Sequence, residues 1–340
     1  MSTDSRRATG AAGAAAVPPG YVDKAVLVLG GLGFIGHHLS WCLVSAHARV
    51  TVVTRRRSAH RAEAARLEAS GARIVEGDLR DSAAMRRAVS AQDVVFHLSA
   101  RSGAVRSVND PFTDLDVNCR GSLVLLEALR ASNPRAKLVF VGSRLTYGRV
   151  GPGLVDEGHE TDPLCAHAVH KLTVEKYLRV YGQLYGVPSV VARVTNPYGP
   201  GQRFKRTAYG VVNRMIHLAL KGETIPVYGD GAQRRDYIFI DDLVSALLAL
   251  GLLPEQDRGP YNIGTGIGTR LIDMARAIVA AVGQGGIELV EWPSVAEHIE
   301  TGDFVADIRR VQRATGWAPA VSLEDGLSRT VAFYRSRVPQ

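Results

Sequence analysis

With 340 residues, 46% of them hydrophobic and 22% charged, the chain can bury one large core or two unequal ones and has the make-up of a soluble globular protein. A formal charge of +8 points to anionic ligands, yet the arginines are dispersed apart from Arg55, Arg56 and Arg57, and there is no nucleic-acid-binding module. The cysteines, Cys42, Cys119 and Cys165, are too few and scattered for a disulfide framework or a metal site, which points to the cytoplasm, and the apolar run from Leu243 to Leu253 is too short to span a membrane.

Residues 1–20 are rich in Ala, Gly, Ser and Pro, lack an apolar signal core and read as a disordered tail. The unbroken apolar run Ala25–Leu29 then fits a parallel strand buried on both faces. Gly30, Gly33 and Gly36 follow at three-residue spacing. In a strand–turn–helix setting they would give a tight exit, a close approach to a pyrophosphate and close helix packing, with the first amides of a helix from Phe34 through Ile35 to Ala46 aimed at the phosphates. A second strand, Val50–Val53, completes a dinucleotide-binding unit within about 30 residues.

The end of that strand bears on cofactor choice. An NAD-selective site places an acid there for the adenosine ribose, whereas this chain has Thr54 followed by Arg55 and Arg56, groups suited to a 2′-phosphate. NADP(H) is therefore the preferred cofactor, with NAD(H) possible.

Strand and helix patterns continue to alternate, which predicts an α/β fold with a doubly wound parallel Rossmann sheet. A helix over 58–70 leads to a strand over 72–75 and the turn Gly77-Asp78-Leu79, where Asp78 either meets the adenine or simply closes the turn. A strand over 93–97 ends in Leu98, Ser99 and Ala100, small enough to lie over the pyrophosphate. A long helix over 114–131 carries Asn118, and a strand over 138–141 delivers Ser143 to the carboxyl edge of the sheet. A helix over 164–185 and a strand over 189–194 follow. Beyond Asn196 the alternation loosens, with a helix over 208–220 and short strands over 225–228 and 236–240. This predicts a Rossmann domain from residues 21–195 and 236–264, and a smaller mixed substrate lobe from 196–235 and 265–340.

From Lys24 to Tyr334 the chain resembles the extended short-chain dehydrogenases/reductases, which include nucleotide-sugar epimerases, dehydratases and keto-sugar reductases. The likeness rests on the glycine turn, Gly77-Asp78-Leu79, His97-Leu98-Ser99-Ala100, Asn118, Ser143 with Tyr147-Gly148, Lys171, Asn196-Pro197-Tyr198-Gly199-Pro200, Tyr228-Gly229-Asp230-Gly231, Arg235-Asp236-Tyr237 and Gly316-Trp317. It implies catalytic roles for Ser143, Lys171 and Asn118, a ribose contact for Lys171, and substrate contacts for Ser143, Tyr147, Asn196 and Arg235.

Two positions depart from the family. Its chemistry uses a tyrosine four residues before the lysine, a spacing that puts both on one helix face, but this chain has His167 before Lys171. Either the position is dead, or imidazole replaces phenol as the proton donor; the retained Ser143 and Lys171 favour a working acid. His170, on another face, reads as a structural histidine. Where the family has an arginine on the substrate diphosphate, the chain has Glu300, which would repel phosphate or welcome a cationic amino sugar.

The leading expectation is thus an NADPH-dependent reductase of a keto-sugar or keto-cyclitol intermediate, as in antibiotic or other secondary metabolism, with His167 as general acid. The alternative is an NAD(P)-dependent nucleotide-sugar epimerase or dehydratase, and a third class is a silent cofactor-sensing protein. The partner is a small carbohydrate, with no nucleic acid and no membrane. The helices over 114–131 and 164–185 are candidates to pair in a homodimer.

Overall fold

The computed structural model describes residues 20–202, 210–254 and 258–337. Apart from Gly20, the expected disordered tail lies outside the described residues. Seven strands form one parallel sheet: β1 (Ala25–Leu29), β2 (Arg49–Thr54), β3 (Arg73–Glu76), β4 (Val94–His97), β5 (Lys137–Val141), β6 (Ser189–Val194) and β7 (Gly259–Ile263). Their order is β7-β6-β5-β4-β1-β2-β3.

The unbroken apolar strands build two cores, because successive side chains point to opposite faces. Val26 and Val28 pack with Leu39 and Leu43 of α1 (Phe34–Ser45) and with Leu243 and Leu247 of the helix Ile240–Gly251. Leu27 and Leu29 face the other way, onto Leu125 and Leu129 of α2 (Gly121–Ser132) and Val174 and Leu178 of α3 (Ala166–Tyr185). Burying each Val or Leu contributes about 1.5–3 kcal/mol, so the core fixes which end of every strand faces which helix. β1 pairs with both β2 and β4, and the chain winds outward in opposite directions from there. The carboxyl ends of β1 and β4 therefore flank the crevice where ligands bind in such sheets.

The single helix expected over 114–131 is instead Pro111–Leu115, a π-helical turn Asp116–Arg120, and α2. Such turns displace side chains from the regular helical positions and recur at functional sites. Here Asp114 and Asn118 are both buried beside α3. On the helices expected to pair between copies, Phe112 is 82% and Leu184 68% exposed.

The loosely patterned region forms three small sheets. Arg234–Phe239 lies between Asn196–Tyr198, parallel, and Gly268–Arg270, antiparallel. Thr224–Tyr228 pairs with Gly286–Val290, and Leu154–Val155 with Val305–Ala306. Within the stretch 236–264 assigned above to the Rossmann domain, the strand portion thus pairs in a small sheet, while the helix Ile240–Gly251 and β7 join the large one. No helix among the described residues is long and apolar enough to cross a membrane.

Candidate active site

A continuous cleft of ≈ 2330 Å³ runs along the carboxyl edge of the large sheet and under the small ones. At one end lies the glycine turn. Gly30 has φ of 81°, a conformation glycine adopts readily, and its amide donates to the Val53 carbonyl at 3.0 Å. A Cβ on Gly36 would sit 2.2 Å from the Gly30 carbonyl oxygen, so only glycine lets α1 start against the turn. The first turn of α1 has neither an acidic residue nor a side-chain cap, which leaves its leading amides to an anion where Gly33, Phe34 and Ile35 line the cleft. This cradle fits a dinucleotide pyrophosphate.

Thr54 ends β2 buried, and Arg55 and Arg56 line the cleft beyond it, exposed. Neither arginine makes a side-chain hydrogen bond or ion pair among the described residues, whereas Arg57 pairs with Glu68 at 2.7 Å. Asp78 lines the cleft beside Leu79, but its carboxylate takes bonds of 2.9 and 2.7 Å from Arg80. Those bonds hold it at about 2 and tie it into the turn at the edge of the cleft. Leu98, Ser99 and Ala100 line the cleft after β4, and Leu98 donates to Leu29 O at 3.0 Å.

At the middle of the cleft, β5 delivers Ser143, whose Oγ accepts from the Leu145 amide at 3.2 Å. Its hydroxyl hydrogen remains available for a ligand oxygen. Lys171, on α3, donates to Val141 O at 2.8 Å and lies 4.6 Å from the Phe140 ring centroid. Burial lowers it to about 8. His167 lies one helical turn earlier, with its backbone amide donating to Ser107 Oγ at 2.9 Å. Its ring lines the cleft, and Nε2 makes no hydrogen bond among the described residues.

Behind that ring is a carboxylate the sequence reading did not single out. Asp114, 1% exposed, has Oδ1 2.7 Å from His170 Nδ1 and 2.8 Å from Asn118 Nδ2, and Oδ2 3.7 Å from His167 Nδ1. Asn118 Nδ2 is itself 3.4 Å from His167 Nδ1. Asn118 therefore stands behind His167 and does not line the cleft, which corrects its assignment as a catalytic residue to a positioning one. The His167 imidazolium is disfavoured, first by burial and then by Lys171 and His170, against the attraction of Asp114. Burial rather than the lysine charge is the main cause. The only trace of Asp114 in the sequence is its spacing, four residues before Asn118.

The far end holds the expected substrate residues. Arg235, 7% exposed, forms a close ion pair with Glu300 and bonds Gly302 O, while Glu300 also accepts from the Gly302 amide at 2.9 Å. Asn196 lines the cleft and donates to Asp236 O at 2.8 Å. Tyr147 does not line the cleft, contrary to expectation: it is buried, with its hydroxyl donating to Asn262 Oδ1 at 2.7 Å and Arg193 4.7 Å over its ring. Arg144, directly after Ser143 and not singled out above, lines the cleft instead. Beyond these lie Tyr228 and Trp292, whose ring centroids are 5.2 Å apart. Among the described residues no group of His, Cys, Asp or Glu could hold a metal ion.

A mostly parallel sheet with a glycine-turn cleft and a Ser143–His167–Lys171 centre defines a nicotinamide-dependent oxidoreductase class. The model of the NAD dependent epimerase/dehydratase family matches residues 26–264, and the chain belongs to that family. It is 32% identical to a UDP-glucose 4-epimerase of Mycolicibacterium smegmatis, covering 92% of this chain and 98% of that one. A Thermotoga maritima UDP-glucose 4-epimerase structure with UDP-glucose has a TM-score of 0.83 and 29% identity, covering 93% of this chain and all of that chain (100%). A Streptomyces venezuelae dTDP-glucose 4,6-dehydratase with NAD bound has a TM-score of 0.83 and 26% identity, covering 92% and 97%. These relatives are nucleotide-sugar epimerases and dehydratases, and they favour the alternative reading over reduction of a keto sugar.

Proposed function

We propose that the chain is an NAD(P)-dependent nucleotide-sugar epimerase that oxidises one secondary hydroxyl of a hexose ring and reduces the resulting ketone from the other face. The observation carrying this is the cleft itself. At ≈ 2330 Å³ it exceeds the roughly 300–1,000 Å³ of a single small-ligand pocket. From the dinucleotide cradle it runs past His167 to the Tyr228–Trp292 pair, surfaces on which a nucleobase can stack.

The bound nicotinamide would supply the hydride acceptor and donor. His167 takes the part that tyrosine plays in the family. Its ring is mainly neutral at pH 7, since its pKa is below the ordinary 6.5, so Nε2 can take the hydroxyl proton as the ring carbon is oxidised. The imidazolium so formed faces Asp114, which stabilises it until the proton returns to the ketone oxygen. Ser143 donates to that oxygen, where negative charge develops. Lys171 holds the cofactor ribose.

Elimination of water, as in a dehydratase, needs a further acid and base beside the sugar. The residues directly after Ser143 at the middle of the cleft, Arg144 and Leu145, carry no carboxylate, and Glu300 is committed to Arg235. This favours epimerisation without elimination. Purified protein given UDP-galactose and catalytic NAD⁺ or NADP⁺ should form UDP-glucose with no net change in cofactor redox state. Stoichiometric NADPH oxidation by a keto sugar, without epimerisation, would restore the reductase reading.

For the cofactor, Arg55 and Arg56 support a 2′-phosphate contact. NADPH should bind at least about tenfold tighter than NADH, a difference of about 1.4 kcal/mol, and Arg55→Ala with Arg56→Ala should erase it. Equal affinities in the unaltered protein, measured by fluorescence titration, would rule this preference out.

A further inference from the structure

The substrate end of the cleft buries an arginine that no carboxylate among the described residues pairs with. Arg144 is 7% exposed. Its Nη1 donates to Thr301 Oγ1 at 2.9 Å, its Nε to Asn196 Oδ1 at 3.4 Å, and its guanidinium lies 5.4 Å from the Phe304 ring centroid. All three partners are neutral, and Nη2 has no partner among the described residues. The nearby carboxylates are taken. Glu300 pairs with Arg235, and Asp236 accepts from the amides of Thr265, Gly266 and Ala306 and from the Thr265 hydroxyl.

A second group is left incomplete at the same place. The hydroxyl of Tyr237, 6% exposed and lining the cleft, is buried without a hydrogen-bond partner. Burial and the neighbouring Arg235 lower Arg144 only to about 9, so it remains a cation at neutral pH. An unpaired buried cation beside an unpaired buried hydroxyl is unfavourable unless a ligand completes both.

We propose that Arg144 and the Tyr237 hydroxyl form a subsite for a carboxylate on the sugar ring, so that a nucleoside-diphosphate hexuronic acid is preferred over a neutral hexose. This rests on the nucleotide-sugar reading above. Arg144 follows Ser143 in the chain and lines the same cleft, with its guanidinium against Asn196, Thr301 and Phe304 on the substrate side. Glu300 and Asp236 are both engaged elsewhere, so Arg144 has no carboxylate of the described residues within bonding distance, and a carboxylate on the ligand would supply one. A carboxylate also matches the planar guanidinium. A diphosphate would bring two charges up to Glu300.

Titration calorimetry on the full chain with saturating oxidised cofactor tests the subsite, using UDP-glucuronic acid, UDP-glucose and UDP. UDP-glucuronic acid should bind at least about tenfold tighter than UDP-glucose. Arg144→Met should bring the two within about threefold by weakening the uronate alone. Tyr237→Phe, which removes one oxygen and keeps the ring, should weaken the uronate several-fold and leave UDP-glucose unchanged. Equal binding of the two sugars by the unaltered protein would overturn the proposal. So would an Arg144→Met variant that loses all three ligands alike, which would make the diphosphate the anion. If none of the three nucleotides and no dTDP counterpart binds while the cofactor does, the nucleotide-sugar reading fails and the subsite with it.

Discussion

Turnover of His167→Ala is expected to fall by about 10² to 10⁴, the usual contribution of a positioned acid or base. Cofactor affinity should barely change, because the glycine turn and Lys171 supply that binding. The sign of the pH dependence follows from the environment of the ring. Its pKa is depressed by burial, so the neutral base that accepts the hydroxyl proton is populated above that depressed value. Activity should therefore rise with pH through the range below 6.5. It should fall again as Lys171, held near 8 by burial, loses its charge. Asp114→Asn should move the acid limb lower still, since removing the carboxylate removes the attraction that favours the imidazolium. An effect of Asp114 on packing alone would change stability and leave the profile where it was. His167→Tyr should recover part of the rate and shift the optimum upward, because a phenol stays protonated in more alkaline solution. If His167→Ala keeps most of its turnover while the chemical step limits the rate, the proton comes from another group, with Ser143 or a bound water next.

Gly36→Ala should abolish cofactor binding at ordinary concentrations. The added Cβ would meet Gly30 O at 2.2 Å and Gly31 Cα at 2.7 Å, both backbone atoms with no rotamer to give way. Alanine is the better helix former by about 1 kcal/mol, but overpacking costs about 1–3 kcal/mol and forces α1 away from the turn. Affinity for the dinucleotide should drop at least about 100-fold, or about 2.7 kcal/mol. Gly33→Ala separates the two parts of this effect. Its Cβ would have only Gly30 O nearby, at 3.2 Å, so the folded protein should tolerate it better. Urea unfolding and cofactor titration on both variants read the difference. A Gly36→Ala protein that binds cofactor as tightly as its parent would refute the geometric argument.

The large sheet was legible because its signals are local. β1 and Ser189–Val194 fall where the apolar runs place them, and the other large-sheet strands read along the chain differ by one or two residues at their ends. The glycine turn was legible for the same reason, since strand, turn and helix adjoin in the chain. The helix carrying Asn118 was not, because nothing in residues 114–131 announces a π-helical turn. It exists where Asp114 and Asn118 meet α3, a contact between distant segments.

Hydrophobic period and short-range spacing specify the doubly wound α/β fold, the dinucleotide cradle and the delivery of Ser143 to its carboxyl edge, and the family resemblance adds His167 and Lys171. Only the tertiary structure decided how the charges are shared. It set Asp114 between His167 and His170, joined Glu300 to Arg235, left Arg144 with neutral partners, and turned Tyr147 away from the cleft. Electrostatic compensation depends on distances of a few ångströms between residues far apart in the chain, and no periodicity encodes those distances.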